Sequence, residues 1–340
     1  RISGKHYTGA AQPVGWATIM ASKKTTSKTG SKRTSKKPTP LPPSVRYLRY
    51  ELTNSETPGT ETSHYIDLAR DLSAVNRRLY RSGRDYHVKK ITVVSSNTPN
   101  FDNRISVATI PDGWSSKQAW KRGFRTWTEM NKTASSQLAG GIQGTWADFK
   151  VSMSREFYLG TKAVPLDNGG NSYLLGDWIE SQLVSPDGTT GADPFLLHML
   201  GPYVGAVGAW TSVGLIKSYG ESRATVQAND PSVPNAASTD PLVNVFDYGT
   251  TVDEVIDLLE TDNDSPPYSL AFYPGSDGNG PKPLITQDTT IVDGRATMGG
   301  FTAMLGQLEF EVKSGLPSDV FSVLVELAPG KYRGIKAESI

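Results

Sequence analysis

The sequence predicts an all-β fold: a two-sheet sandwich with two or three short inserted helices, preceded by a disordered basic N-terminal arm. Three observations carry this. Strand-length runs of β-branched and aromatic residues alternate with turns, and 33 Gly and 22 Pro are more turn formers than a helical protein tolerates. Runs late in the chain alternate at period two, as sheets with one buried face require. Charge is segregated: Arg1 to Tyr50 holds 11 Lys+Arg and no acid, leaving 24 basic against all 34 acidic side chains beyond it. The formal net charge of +1 therefore joins a +11 segment to a −10 body.

The arm spans residues 1–43. Between Met20 and Pro43 it carries Lys23, Lys24, Lys28, Lys32, Arg33, Lys36 and Lys37, separated by Ser, Thr and Gly. With almost no apolar surface to bury, it cannot offset its own ordering entropy and is expected to stay disordered until it meets a polyanion. Such asymmetry marks nucleic-acid tails, although a solubilising linker or a localisation signal has the same texture. The chain starts with Arg1, whereas Met20-Ala21-Ser22 followed by lysines reads as a natural start. Residues 1–19 are accordingly expected to be upstream or added sequence.

Beyond Pro42-Pro43, residues 44–340 form the expected shell domain. Val45–Thr53 has a strand's composition, and Asn54–Thr62 is a polar loop. In Asp67–Tyr80 the period changes: Leu68, Leu72, Val75 and Leu79 share one face of a short helix stopped by Gly83. Tyr86–Ser95 and Arg104–Ile110 read as strands. Ser115 caps a second helix to about Asn131, with Trp120, Phe124, Trp127 and Met130 on a stripe expected to be core. Strands are then expected at Asp148–Met153, Ser172–Val184, Pro194–Leu200, Ala209–Tyr219, Leu284–Val292, Phe301–Lys313 and Phe321–Leu327, with an acidic helix at Val252–Glu260. In the last two strands Leu308, Phe310, Val312, Phe321, Val323, Val325 and Leu327 alternate with more polar neighbours. Long strands, long loops and few helices favour the jelly roll, the large member of the sandwich class.

Composition excludes several chemistries. The absence of cysteine removes disulfides, thiolate metal sites and thiol nucleophiles. No Walker loop, G-x-S-x-G or H-E-x-x-H is present, and His6, His64, His87 and His198 are scattered, so no enzyme is expected. No apolar run reaches the ~18 residues of a membrane span, and no secretory hydrophobic region opens the chain. No cofactor is expected. The acids Asp253, Glu254, Asp257, Asp262 and Asp264 could attract structural Ca²⁺, but they form no EF-hand and read better as a solvated face. Gly275–Gly280 lacks a following helix and reads as a loop tip, and Asn131-Lys132-Thr133 is a lone sequon.

Within Asp67–Lys90, seven basic residues (Arg70, Arg77, Arg78, Arg81, Arg84, Lys89, Lys90) accompany three acids (Asp67, Asp71, Asp85). They form either a basic surface that receives phosphates, or an ordinary solvated helix face or one paired with acids of a neighbouring subunit. The two readings stand level. The residues expected to touch nucleic acid are the seven arm cations with Arg46, Arg49, Arg77, Arg78 and Arg81.

The order of these features resembles the coat proteins of small circular Rep-encoding single-stranded DNA viruses, especially marine environmental ones. The resemblance covers most of the chain after Met20. It rests on Tyr65–Gly83 (YIDLARDLSAVNRRLYRSG), Ala119–Met130 (AWKRGFRTWTEM), Ser222–Pro234 (SRATVQANDPSVP), the Pro266-Pro267-Tyr268 and Tyr273-Pro274-Gly275 loop, and Gly330–Ile335 (GKYRGI). It implies a single jelly roll that assembles with itself into an icosahedral shell, the arm inward on packaged single-stranded DNA. It also implies a host receptor and a place in the virion, with assembly in the host nucleus or cytoplasm. The chemistry of lysines does not separate DNA from RNA, so the DNA cargo is implied by the resemblance alone. Two other readings stay open: a soluble single-stranded nucleic-acid-binding protein that forms no shell, and a carbohydrate-binding sandwich.

Overall fold

A computed structural model describes residues 43–96, 103–137, 146–186, 192–206, 209–224, 284–291 and 293–340. The seven arm cations, the helix expected at Val252–Glu260, the acids around it and the Gly275–Gly280 loop lie outside these residues.

The first strands are β1 (Tyr47–Thr53), β2 (Thr62–Asp67), β3 (Arg84–Val94) and β4 (Arg104–Thr109). Next come β5 (Gln182–Pro186), β6 (Ala192–His198), β7 (Val204–Ala206), β8 (Ala209–Gly214) and β9 (Leu284–Thr290). The series closes with β10 (Arg295–Met298), β11 (Phe301–Met304), β12 (Gln307–Lys313), β13 (Val320–Leu327), β14 (Pro329–Gly330), β15 (Gly334–Ile335) and β16 (Ala337–Ser339). The helices are α1 (Leu68–Asn76), α2 (Trp114–Gln137), α3 (Arg155–Leu159) and α4 (Leu215–Ala224).

Two antiparallel sheets dominate. One has the order β1-β13-β3-β10, with β11 and β16 also pairing β3; the other has the order β2-β12-β4-β9. Chain neighbours β1 and β2, β13 and β12, β3 and β4, β10 and β9 occupy corresponding places in the two orders. An antiparallel ribbon wrapped in this way is a jelly roll, so the expected fold class holds. The inward sets of both sheets make one core: Tyr50, Ile91, Val107, Phe310, Phe321 and Val325 are all fully buried within it. The alternation read in β12 and β13 is the alternation observed.

The described residues between β4 and β9 carry a second layer of structure. It holds α2, α3, α4 and a small sheet of order β5-β6-β8-β7, gathered on a core that includes Trp120, Phe149, Met153, Phe157, Leu200 and Ile216. Here the expectations need correction. Asp148–Met153 is no strand, because its carbonyls serve two different neighbours: Ser181 N donates to Lys150 O (2.8 Å) and Met199 N to Ser152 O (2.9 Å). Ser172–Val184 is regular only from Gln182, and Ala209–Tyr219 leaves the sheet at Gly214 to become α4. The short α3 was not anticipated; Ser154 caps it, its Oγ accepting from Phe157 N at 3.1 Å.

Other boundaries shift for identifiable reasons. Phe301–Lys313 is two strands, because Leu305 (φ 60°) and Gly306 (φ 71°) both turn left-handed and carry the chain from one sheet to the other. The expected polar loop ends in β2, which pairs β12. Four helices are described, and α2, 24 residues long, starts at Trp114, so Ser115 lies inside it. Its inward face is Ser116, Ala119, Trp120 and Gly123, with Trp127 and Met130 half-buried; Phe124 is 39% exposed although it belongs to the expected core stripe.

Candidate nucleic-acid interface

The basic cluster of Asp67–Lys90 is built around α1. Asp67 caps the helix: one carboxylate oxygen accepts from Arg70 N and the other from Trp178 Nε1, each at 3.0 Å. Behind it, Asp71 accepts from Tyr50 Oη (2.6 Å) and Arg70 Nε (2.8 Å), and Arg70 also donates to Ala163 O. Burial pushes the Asp71 carboxyl up to about 7, while the Arg70 charge and both hydrogen bonds oppose the rise. Asp67 is raised by the same cause. Arg70 is thus a buried structural cation that ties α1 to β1 and to the loop at Ala163.

The helix ends earlier than its apolar period suggests. Arg77 takes the left-handed conformation (φ 52°) that usually falls to glycine, and its N–H and that of Arg78 return to Ser73 O. Leu79 and Tyr80 are therefore off the helix and are held by the C-terminal loop. Tyr80 Oη donates to Arg333 O (3.0 Å), Arg81 N donates to Tyr332 Oη (3.0 Å), and Arg333 reaches Leu79 O. Two of the stretches singled out in the sequence, Tyr65–Gly83 and Gly330–Ile335, meet here.

The cations of this stretch separate into two groups. Arg81 pairs with Asp148 (3.2 Å), Lys89 with Glu326 (2.6 Å), and the Arg84 guanidinium lies 3.8 Å over the Tyr332 ring. Arg81 and Lys89 thus have acid partners within this chain, and Arg84 an aromatic one. Arg77, Arg78 and Lys90 are exposed and make no ion pair among the described residues. On β1 the half-exposed Arg49 pairs with Glu51 (2.6 Å), and Arg46 lies just ahead of the strand.

Arg77 and Arg78 open onto a cavity of about 450 Å³. Arg70, Lys150, Trp146, Asp177 and Trp178 also line it, so four cations face one acid. Trp146 is 70% exposed, and the Lys150 ammonium sits 5.0 Å from the centre of the Trp178 ring. A second cavity of about 400 Å³ lies beyond Asp148 and takes Arg81, Arg84 and Lys121. Of the expected nucleic-acid contacts, the fold brings Arg77 and Arg78 together and sets Arg81 in the second cavity; Arg46 and Arg49 line neither. Sequence reasoning missed Trp146, Lys150 and Trp178, which come from an irregular loop far along the chain. Clustered cations beside an open ring face suit a phosphate and a flat ring.

Among the described residues no three His, Asp or Glu side chains group to hold a metal, and no helix is long and apolar enough to cross a membrane. No protein-family model, curated protein or solved structure matches the chain.

Proposed function

We propose that this chain is a viral coat protein that assembles with itself into an icosahedral shell and packages single-stranded DNA. The arm cations and the Arg77–Arg78 cluster neutralise the phosphates. The observation that carries this reading is where the chain enters the fold. Val45, just past the basic segment, is hydrogen-bonded to Asn76, the residue next to Arg77. The point where the chain enters the fold thus lies beside Arg77 and Arg78, the two body cations proposed to meet phosphate.

Two further features support the reading. The jelly roll suits shell subunits, although a fold by itself does not fix a function. Leu174 (95% exposed), Ile179 (73%), Leu159 (66%) and Trp114 (64%) are large apolar side chains that subunit contacts would cover. A host receptor and a virion location follow from the same proposal.

A soluble single-stranded nucleic-acid-binding protein is favoured equally by the cavity at Arg77 and Trp146, and it differs in forming no shell. Neutral carbohydrate suits this cavity poorly, since Arg77, Arg78 and Lys150 set against Asp177 call for an anion. Negative-stain microscopy and sedimentation of the full chain at physiological salt, with and without single-stranded DNA, separate the readings. The coat protein gives closed particles; only monomers or small oligomers overturn it.

A further inference from the structure

We infer that the cavity at the C-terminal end of α1 is a nucleotide subsite: it takes one unit of a single strand, with a phosphate on Arg77 and Arg78 and the base against Trp146. This deepens the nucleic-acid reading above, and it adds to general charge neutralisation a contact that reads the presence of a base.

Arg77 and Arg78 have no acid partner among the described residues; past the left-handed end of the helix at Arg77, both are exposed and line the cavity. A helix C-terminus carries a partial negative charge, which lowers the affinity for an anion there. Three cations without acid partners among the described residues (Arg77, Arg78, Lys150), set against Asp177, outweigh it. Trp178 is occupied: its indole N–H is fixed on Asp67 and its ring lies near the Lys150 ammonium. Trp146 differs, being 70% exposed with no ring contact among the described residues. A large exposed aromatic at the rim of a basic cavity is a stacking platform, and every base has a π-face to offer it. The volume, about 450 Å³, falls in the range of small-ligand sites.

The test uses the full chain and two labelled 12-nucleotide strands with identical phosphates, one all thymine and one abasic throughout. Thymidine monophosphate serves as a competitor. The wild type should bind the thymine strand about tenfold more tightly than the abasic one. Trp146→Ala should remove most of that preference with its salt dependence unchanged, and Trp146→Phe should keep it. Joint Arg77→Ala and Arg78→Ala should flatten the log–log salt slope by about 1.4 for both strands, two contacts at ~0.7 each. An undiminished thymine preference in Trp146→Ala, or none in the wild type, overturns the subsite. So does a monophosphate that saturates the cavity while the strand gains nothing from Trp146, since the site would then hold a free nucleotide. These outcomes are read on strand binding, so a failed subsite leaves shell assembly untouched, and a failed shell leaves the subsite measurable.

Discussion

Val45 and Asn76 hold each other across 31 positions of sequence: Val45 N donates to Asn76 Oδ1 at 2.7 Å, and Asn76 Nδ2 donates back to Val45 O at 3.1 Å. Asn76 is the last residue of α1 and also donates to Leu72 O at 3.2 Å. One side chain thus fixes where the chain enters the jelly roll and where the Arg77–Arg78 pair leaves the helix. Asn76→Ala should cost about 1 kcal/mol, as expected for exposed hydrogen bonds. Asn76→Asp, which sets a carboxylate oxygen against Val45 O and Leu72 O at the negative end of the helix, should cost at least as much. Chemical denaturation of the two variants against wild type checks the order; equal stability of all three would remove Asn76 as the anchor.

The Asp71 carboxyl predicts a pH dependence whose sign is set by burial. Unfolded, it ionises near its ordinary value, about pH 4; folded, burial holds it up to about 7. Between those values the folded chain keeps a proton that the unfolded chain has released, so this group's stabilising contribution declines as pH rises through the window. Above it the contribution is level. Asp71→Asn should lower stability and flatten the profile between about pH 4 and 7. Denaturation midpoints at several pH values across the window read both effects, and an unchanged slope in the variant would place the titration elsewhere.

The aromatic face of α2 should divide by burial. Trp120 is 7% exposed, stacks on Phe124 at 5.1 Å and meets Phe149 at 5.7 Å. Trp120→Ala should cost about 3–5 kcal/mol. Trp127 is only half-buried, and Trp127→Ala should cost less than half as much. Gly83→Ala should resemble the first, because a methyl group there would lie 2.4 Å from the Trp120 ring. Thermal or chemical unfolding ranks the three; equal losses for both tryptophans would mean the stripe is evenly buried.

The legibility of the fold followed the regularity of its burial. In β12 and β13 one face is core and the other is not, so Phe310, Phe321 and Val325 announce their strands by alternation. Apart from the short α3, the backbone between Trp146 and Ser181 bonds to several neighbours in turn and adopts no period, so it offers no pattern to read. The end of α1 misled because Leu79 continues the apolar spacing, while its real position is set by Tyr332 and Arg333 at the far end of the chain. The candidate site shows the same division. Arg77 and Arg78 stood out by composition, but their loop neighbours Lys150 and Trp178 are brought to them only by the tertiary fold.

Packaging is read from the nucleic acid carried per particle by the full chain and by a deletion of Met20–Pro40. The arm to Pro40 holds nine basic residues (Arg1, Lys5, Lys23, Lys24, Lys28, Lys32, Arg33, Lys36, Lys37), so full engagement corresponds to a salt slope of about −6 on single strands. Closed shells from both proteins are expected, with packaged nucleic acid falling sharply and the slope flattening in the deletion. Equal cargo with an unchanged slope, or no shell from the full chain, would contradict the account.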